Sequence, residues 1–535
     1  MARSRPMRSS YSPPRSTAYA ENGMACTSHP QASLAALDML RAGGNAMDAA
    51  VAAAAVLAVV EPMSTGIGGD VFCLYARGGT SDVLSYNGSG RAPGKADAQW
   101  FLDNGIEKIG TESPHSVTVP GTIDAWCRLL ADHGTMGIDR VLAPAIAYAE
   151  NGYTIHEVVH QSWADSVARL SGDENAKRIL LVDGKAPALG SVHTQPLLAK
   201  AMKEVAAKGR DGFYTGWVAE DIVTYLNSLG GLHSLDDFAA AAGEYVDPIS
   251  TEMAGYRVHE CPPNGQGIVA LMMMNILNGY DIADMDPLGA DRIHLTLEAG
   301  RLAFRDRAEY VADPAMAEVP VETLLSEAYA RMQRDAIDPK RAMKEVPGPK
   351  LPTTPNTVYL CVIDKDRNAA SFINSTYWGF GSGRVAPKSG VVLQNRGAGF
   401  VIQPGHRNCI APGKRPMHTI IPAMLTKGDK VIMPFGVMGG DYQPWGHTHV
   451  LQNMLLHGMA PQEALDLPRY MFENGVASME ASVPAHVLHD LACRGHKVAI
   501  SPEFHGGGQA IWIDWEKGTL AGGTEPRKDG IALGY

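Results

Sequence analysis

The chain has no block of like charge: its formal net charge of −11 is dispersed over 535 residues. A dispersed acidic balance argues against nucleic acid and against an anionic membrane surface as the main partner, since both call for a concentrated basic face. Paired cysteines are also lacking. Cys26, Cys73, Cys127, Cys261, Cys361, Cys409 and Cys493 are scattered, odd in number and without CxxC spacing, which removes the common zinc and redox patterns and leaves reduced core thiols. No apolar run is long enough to span a bilayer. Residues 1–15 carry Arg and Pro but no apolar signal core, so they read as a loose tail. Ala46 to Val60 is Ala-rich, interrupted by Asp48 and too short to span, so a buried helix is expected there. Together these absences point to a cytoplasmic protein working on small molecules.

What is present is a soluble-enzyme composition, 45% hydrophobic, with 57 glycines and 34 prolines that imply many turns between short elements. From Pro30 the pattern is helical to Arg41, breaks at Gly43-Gly44-Asn45, and resumes through Val60, a helical hairpin. Gly66-Ile67-Gly68-Gly69-Asp70 then leads into two strand-like runs, Val71 to Ala76 and Val83 to Asn87. The middle, about Ile123 to Met332, reads as mainly helical, with Leu271 to Met274 as core packing. Between Pro347 and Pro355 the density of Pro and Thr forbids a helix or a central strand and marks a natural place for a chain break.

Directly after that stretch, Thr357 to Ile363 is β-branched and aromatic, Asp364-Lys365-Asp366-Arg367-Asn368 is a turn, and Ala369 to Ser375 is extended again. Thr357 and Ser375 each lie nine residues from Asp366, so a hairpin centred there makes them cross-strand neighbours on one face. Two hydroxyls are brought together.

A threonine hydroxyl is a weak nucleophile. Its own α-amine, titrating at about 7.7 to 8.0, serves as general base when threonine is first in its chain. That requires the hydroxyl to attack the carbonyl of Asn356 and water to open the resulting ester. Taken alone, a threonine opening a strand is more often a plain strand residue.

The context is more specific. Thr357-Val358-Tyr359-Leu360-Cys361-Val362-Ile363-Asp364-Lys365-Asp366-Arg367-Asn368 resembles the start of the small subunit in the γ-glutamyltransferase (γ-glutamyltranspeptidase, glutathione hydrolase) family of N-terminal-nucleophile hydrolases. Gly43-Gly44-Asn45-Ala46, Val119-Pro120-Gly121-Thr122, Gly212-Phe213-Tyr214, Asp306-Arg307-Ala308-Glu309-Tyr310, Gly413-Lys414-Arg415-Pro416, Met438-Gly439-Gly440 and Pro526-Arg527 extend the resemblance over nearly the whole chain. It implies an α+β fold, a four-layer αββα sandwich. It further implies a precursor cut at Asn356-Thr357 into a large subunit, 16–356 after the tail, and a small one, 357–535, that stay one folded unit and can assemble as a homo-oligomer of such heterodimers.

By position, the resemblance gives Thr357 as nucleophile, Ser375 as the hydroxyl that bonds it, and Gly439 and Gly440 as oxyanion-holding amides, where a plain turn fits the bare residues equally well. Arg91, Tyr377, Asn395, Arg396, His418, Thr419 and Asp441 fall in the substrate-binding set. Several depart from the family pattern. Arg91, in Asn87-Gly88-Ser89-Gly90-Arg91-Ala92-Pro93, sits two residues nearer the proline than the arginine that grips the glutamyl carboxylate. Where the family has an amide or acid followed by Met-Asp-Asp-Phe, this chain has Arg396-Gly397-Ala398-Gly399-Phe400, which deletes the acid expected to bind the glutamyl ammonium. Asp441 is the candidate substitute. His418-Thr419 stands in place of a Ser-Ser pair and Tyr377 in place of an Asn, while the short segment between Phe400 and Lys414 implies no lid loop.

The expected activity is cleavage of a γ-glutamyl or similar carboxylate-bearing acyl amide through an acyl-enzyme. The alternatives are an acylase for glutaryl or oxamate-type amides without transpeptidation, and an inactive binding or scaffold member. Neither metal nor cofactor is expected: His447-Thr448-His449 falls in a helix, where i and i+2 side chains diverge, and Gly379-Phe380-Gly381-Ser382-Gly383 lacks a strand-turn-helix setting. Asp306, Glu309 and Asp313 are expected in structural ion pairs.

Overall fold

The computed structural model describes residues 15–344, 346 and 357–535. The tail up to residue 14, the whole Pro/Thr-rich stretch 347–355 and Asn356 lie outside the described residues. Two seven-stranded antiparallel sheets are stacked face to face. The first runs Ile531–Gly534, Met24–Thr27, Val358–Ile363, Ala369–Ser375, Asp70–Ala76, Val83–Gly88, Glu244–Val246; the second runs Ala18–Ala20, Thr519–Thr524, Gly507–Asp514, Lys430–Met438, Ala423–Lys427, Tyr256–Glu260, Ile249–Met253.

The alternation of side chains along each strand builds the layers. In Val358–Ile363, Val358, Leu360 and Val362 pack with helices Pro30–Arg41, Ala46–Val60 and Ile138–Asn151. Tyr359, Cys361 and Ile363 face the other way, against Met424, Val431, Met438, Ile511 and Leu520 of the second sheet. That sheet's outer face, with Val258, Leu425, Phe435 and Val437, is covered by Gly267–Leu277, Ala290–Tyr310 and Gln443–Leu451. Helix, sheet, sheet, helix is the four-layer sandwich.

Helix Ala46–Val60 is buried on every side, as its Ala-rich sequence implies. Asn45 caps it by accepting from the amides of Met47 and Asp48, and Asp48 returns a bond to the Asn45 amide. Its first amide, Ala46 N–H, donates to Asp364 in the hairpin turn at 2.9 Å. The same carboxylate accepts the amides of Asp366 and Asn368, both at 3.0 Å, and the Asn368 side chain at 2.7 Å. This closed turn fixes the hairpin register, Val358 opposite Asn374 through Ile363 opposite Ala369, which is the register of a turn centred on Asp366.

The middle of the chain is helical but not wholly so. Glu244–Val246 closes one edge of the first sheet, and Ile249–Met253 with Tyr256–Glu260 forms an edge hairpin of the second. These strands are short and half-polar, so they carry little apolar alternation. Among the described residues no helix is long and apolar enough to cross a membrane.

Candidate active site

Thr357 precedes the first residue of its strand and shares the facing of Tyr359, Cys361 and Ile363, so its side chain points between the sheets. Ser375, next in register across the hairpin, shares that face, and the two hydroxyl oxygens are 3.0 Å apart. Both residues are buried. The Ser375 hydroxyl also accepts the Tyr377 amide at 2.9 Å, which holds Tyr377 at φ +81°, a left-handed conformation that bulky side chains rarely adopt.

Thr357 lines a pocket of about 260 Å³ together with Met438, Gly439, Asp441 and Tyr442 from the end of the second sheet and the segment 501–506. Phe504, 71% exposed, and Lys528 stand on its wall. Gly439 and Gly440 follow strand Lys430–Met438 with φ of +121° and +55°, so the chain turns at the strand end beside Thr357. A Cβ on Gly439 would lie 2.8 Å from the Gly506 Cα; only glycine fits both the angle and the space.

The carbonyl of Gly440 is held by the Gln266 side chain at 2.8 Å, and the same Nε2 donates to the Thr419 carbonyl at 2.7 Å. Gln266 in turn accepts from Arg307 at 2.5 Å, and Arg307 clasps Asp441 with two bonds of 2.6 and 3.2 Å. Asp441 therefore reaches the pocket wall already paired with a guanidinium.

A second buried carboxylate organises the far side. Asp70, directly opposite Ser375 on the neighbouring strand, accepts from the amides of Gly90 and Gly121 at 2.9 and 3.2 Å, from Gln394 at 2.9 Å, and pairs with His418 Nε2 at 3.0 Å. The Ile420 amide donates to His418 Nδ1 at 3.3 Å, which leaves the ring proton on Nε2 to face Asp70. Burial, then the nearby Arg396 charge, hold this imidazole down to about 3, so it is neutral at physiological pH. Gly69 lets the loop pass under the strand end: a Cβ there would sit 2.3 Å from the Ser375 carbonyl.

Arg396 is 1% exposed. Its Nη1 donates to the Thr419 hydroxyl at 2.7 Å, and its guanidinium lies 3.9 Å over the centre of the Tyr377 ring. Desolvation pushes it down to about 10, which leaves it charged at neutral pH. Its neighbour Asn395 is occupied with backbone, accepting from Trp378 at 3.2 Å and donating to Thr111 at 3.0 Å.

Thr357, Ser375, Tyr377, Arg396 and Thr419 are thus linked by direct contacts, His418 adjoins Thr419, Gly440 and Asp441 join them through Gln266 and Arg307, and Gly439 shares the pocket with Thr357. Arg91 is elsewhere. It lines a separate pocket with Gly413, to whose carbonyl it donates at 3.1 Å, and it lies 3.7 Å from both Glu244 and Asp313. The groups that sequence reasoning missed are Asp70, Gln266 and the supporting role of Arg307. The run Gly68-Gly69-Asp70 before a strand was the available signal for the first.

Asp306 pairs with Arg305 and Glu309 with Arg407, and Asp313 meets Arg91, all structural contacts. His447 is held between Glu260 at 2.7 Å and the Val437 amide at 3.1 Å inside helix Gln443–Leu451.

Two layered sheets with a hydroxyl pair at the end of the central hairpin define the architecture of the N-terminal-nucleophile hydrolase fold, and the comparisons with known proteins agree. A sequence model of the gamma-glutamyltranspeptidase family matches residues 32–535; the chain belongs to that family. It is 37% identical to the glutathione hydrolase-like YwrD proenzyme of Bacillus subtilis (strain 168), covering 96% of this chain and 98% of that one. It is 34% identical to the oxamate amidohydrolase proenzyme of Klebsiella pneumoniae subsp. pneumoniae, covering 96% and 98%. The solved structure of cephalosporin acylase from Bacillus halodurans superposes with a TM-score of 0.93 at 41% identity, over 99% of each chain. These relatives are hydrolases, and the protein is an enzyme of that kind.

Proposed function

We propose that the chain is a self-processing amide hydrolase that cuts its own Asn356-Thr357 bond and then uses Thr357 as an N-terminal nucleophile on a carboxylate-bearing acyl amide. The observation that carries this reading is the 3.0 Å contact between the Thr357 and Ser375 hydroxyls at the mouth of a pocket bordered by Gly439. In processing, Thr357 Oγ attacks the Asn356 carbonyl, the amide nitrogen leaves as the new α-amine, and water hydrolyses the ester. In turnover, that amine takes the Oγ proton, Oγ attacks the substrate carbonyl, and the leaving amine departs with the proton. Water then releases the acid. The Ser375 hydroxyl supports the developing alkoxide, and the amides of Gly439 and Gly440 serve the tetrahedral oxygen. The proenzyme names of both relatives support the processing step.

A glutaryl or oxamate-type acyl group is favoured over a γ-glutamyl one by one specific contact, and hydrolysis is the default over transfer to an acceptor amine. The Asp441 carboxylate is clasped by Arg307, so it brings little net negative charge to a substrate ammonium. The seven free cysteines support a reducing compartment, the cytoplasm.

A denaturing gel of wild type beside Thr357→Ala tests the first step: two fragments are expected from the former and one full-length band from the latter. A panel of γ-glutamyl anilide, glutathione, a glutaryl amide and oxamate, each with and without glycylglycine, tests the second. Cleaved protein that hydrolyses none of the panel would support a scaffold role instead.

A further inference from the structure

We propose that Arg396 is the anchor for a terminal carboxylate on the acyl group, so that the acyl site is built for an anion and not for an ammonium. This rests on the reading of Thr357 as nucleophile. Nε and Nη2 of Arg396 are buried and have no hydrogen-bond partner among the described residues. These two atoms form the side-on edge of the guanidinium, the edge whose parallel N–H bonds match the two oxygens of a carboxylate. A buried cation with that edge unmatched is costly to maintain in a core, and the two nearby carboxylates do not serve it. Asp70 is bonded to Gly90, Gly121, Gln394 and His418, and Asp441 to Arg307.

Position supports the assignment. On one side Arg396 stacks on Tyr377, whose amide is bonded to Ser375, the partner of Thr357. On the other it holds Thr419, whose carbonyl shares the Gln266 amide with Gly440. The guanidinium is therefore joined to the nucleophile through Tyr377 and Ser375, and to the oxyanion turn through Thr419 and Gln266. The residues that follow it, Gly397-Ala398-Gly399, add no acid. A dicarboxylic acid attached through one amide satisfies the cation and brings no second charge. A γ-glutamyl group brings an ammonium that neither Asp70 nor Asp441, the two carboxylates beside the guanidinium, is free to meet.

In the uncleaved chain this edge is closed to solvent, so the experiment uses processed protein. Four anilides separate the charges: glutaryl carries a carboxylate, γ-glutamyl a carboxylate and an ammonium, 4-aminobutyryl an ammonium, and pentanoyl neither. We expect kcat/KM for glutaryl to exceed each of the others by at least tenfold. In Arg396→Gln the glutaryl-to-pentanoyl ratio of kcat/KM should fall at least tenfold, mainly through the glutaryl KM. An ammonium-bearing anilide equal to or better than glutaryl in wild type, or a glutaryl-to-pentanoyl ratio unchanged in the variant, would overturn the assignment.

Calorimetry of wild type with glutarate and with pentanoate decides the matter should Arg396→Gln fail to fold. Tighter glutarate binding without hydrolysis of any anilide would leave the anion site standing and sink the nucleophile reading. Hydrolysis with no preference for glutarate or its anilide would sink the anion site alone. Neither binding nor hydrolysis would sink both.

Discussion

Removing the Ser375 hydroxyl in Ser375→Ala perturbs the proposed chemistry at one atom. That atom lies 3.0 Å from Thr357 Oγ and accepts the Tyr377 amide at 2.9 Å, so two quantities should change. A hydrogen bond to a charged oxygen contributes about 1.5–3 kcal/mol. If the Ser375 proton supports the Thr357 alkoxide in the transition state, its loss slows the step by roughly 10- to 150-fold. Self-cleavage and substrate hydrolysis use the same oxygen, so both should slow by similar factors. The second quantity is stability: the buried Tyr377 N–H loses its acceptor, at a cost of about 1–3 kcal/mol. Gel densitometry of the cleaved fragments over time gives the first rate, and steady-state kinetics on fully processed protein gives the second. KM should change little, because the interaction is made in the transition state. Ser375→Thr keeps the hydroxyl and should recover most of both rates. If Ser375→Ala cleaves itself and turns over within twofold of wild type, the hydroxyl pair is an ordinary strand contact and the reasoning fails.

Asp70→Asn keeps an acceptor for Gly90, Gly121 and Gln394 but sets an amide N–H against the His418 Nε2 proton. The expected loss is about 1.5–3 kcal/mol, the worth of a bond to a charged group, read as a lower urea midpoint; an unchanged midpoint contradicts the role given to Asp70. Gly439→Ala forces a Cβ to 2.8 Å from the Gly506 Cα at a φ of +121°. It should cost about 1–3 kcal/mol of strain and abolish turnover, and normal kcat with a normal melting curve would refute the close approach. Acid should destabilise the fold. Burial holds His29, His418 and His496 down to about 3 and His193, His233 and His259 down to about 4. The unfolded chain therefore binds more protons between pH 6.5 and that range, and stability falls as pH drops through the window, by about 1.4 kcal/mol per histidine one unit below 6.5. Glu61, pushed up to about 7 by burial, opposes this, since its stabilising share grows below pH 7, and Glu260, Asp306, Asp364 and Asp466, which burial also raises, oppose it in the same direction. Urea midpoints at pH 7.5 and 5.5 give the sign, and a flat or rising midpoint on acidification contradicts these burials.

The parts of this molecule that were legible in sequence are those whose partners lie close along the chain. The hairpin register follows from Asp364 closing a turn onto Asn368 four residues away, and so the meeting of Thr357 with Ser375 could be counted out beforehand. The Asn45 cap and the buried helix behind it are equally local. Asp70 is the opposite case: its partners Gly90, Gly121, Gln394 and His418 lie 20 to 348 residues away, and no spacing rule connects them. Arg91 sits in a motif that resembles a carboxylate grip, yet the fold gives it Glu244, Asp313 and the Gly413 carbonyl instead. The unmatched edge of Arg396 is a property of every group around it and has no signature in sequence at all. Two of the short strands between Glu244 and Glu260 were hidden because Glu244–Val246 and Ile249–Met253 lie at sheet edges and bury only part of their surface.

The layered architecture separates chemistry from selectivity. Strand alternation alone aims Thr357 and Ser375 between the sheets, and the end of strand Lys430–Met438 brings the paired glycines to the same place. The charged groups around them come from loops: Arg396 from the short turn 396–399, His418 and Thr419 from the segment before Ala423–Lys427, and Asp441 from the turn after the glycines. A single exchange in such a loop alters the sign of charge near the hydroxyl pair without moving Thr357, the proposed nucleophile. Proteins named a glutathione hydrolase-like proenzyme, an oxamate amidohydrolase and a cephalosporin acylase align with this chain over nearly their full lengths. In this chain the buried Asp70 and Asp441 are each paired with or bonded to protein groups, whereas the buried Arg396 keeps one edge unmatched, and the selectivity we infer is the complement of that buried cation.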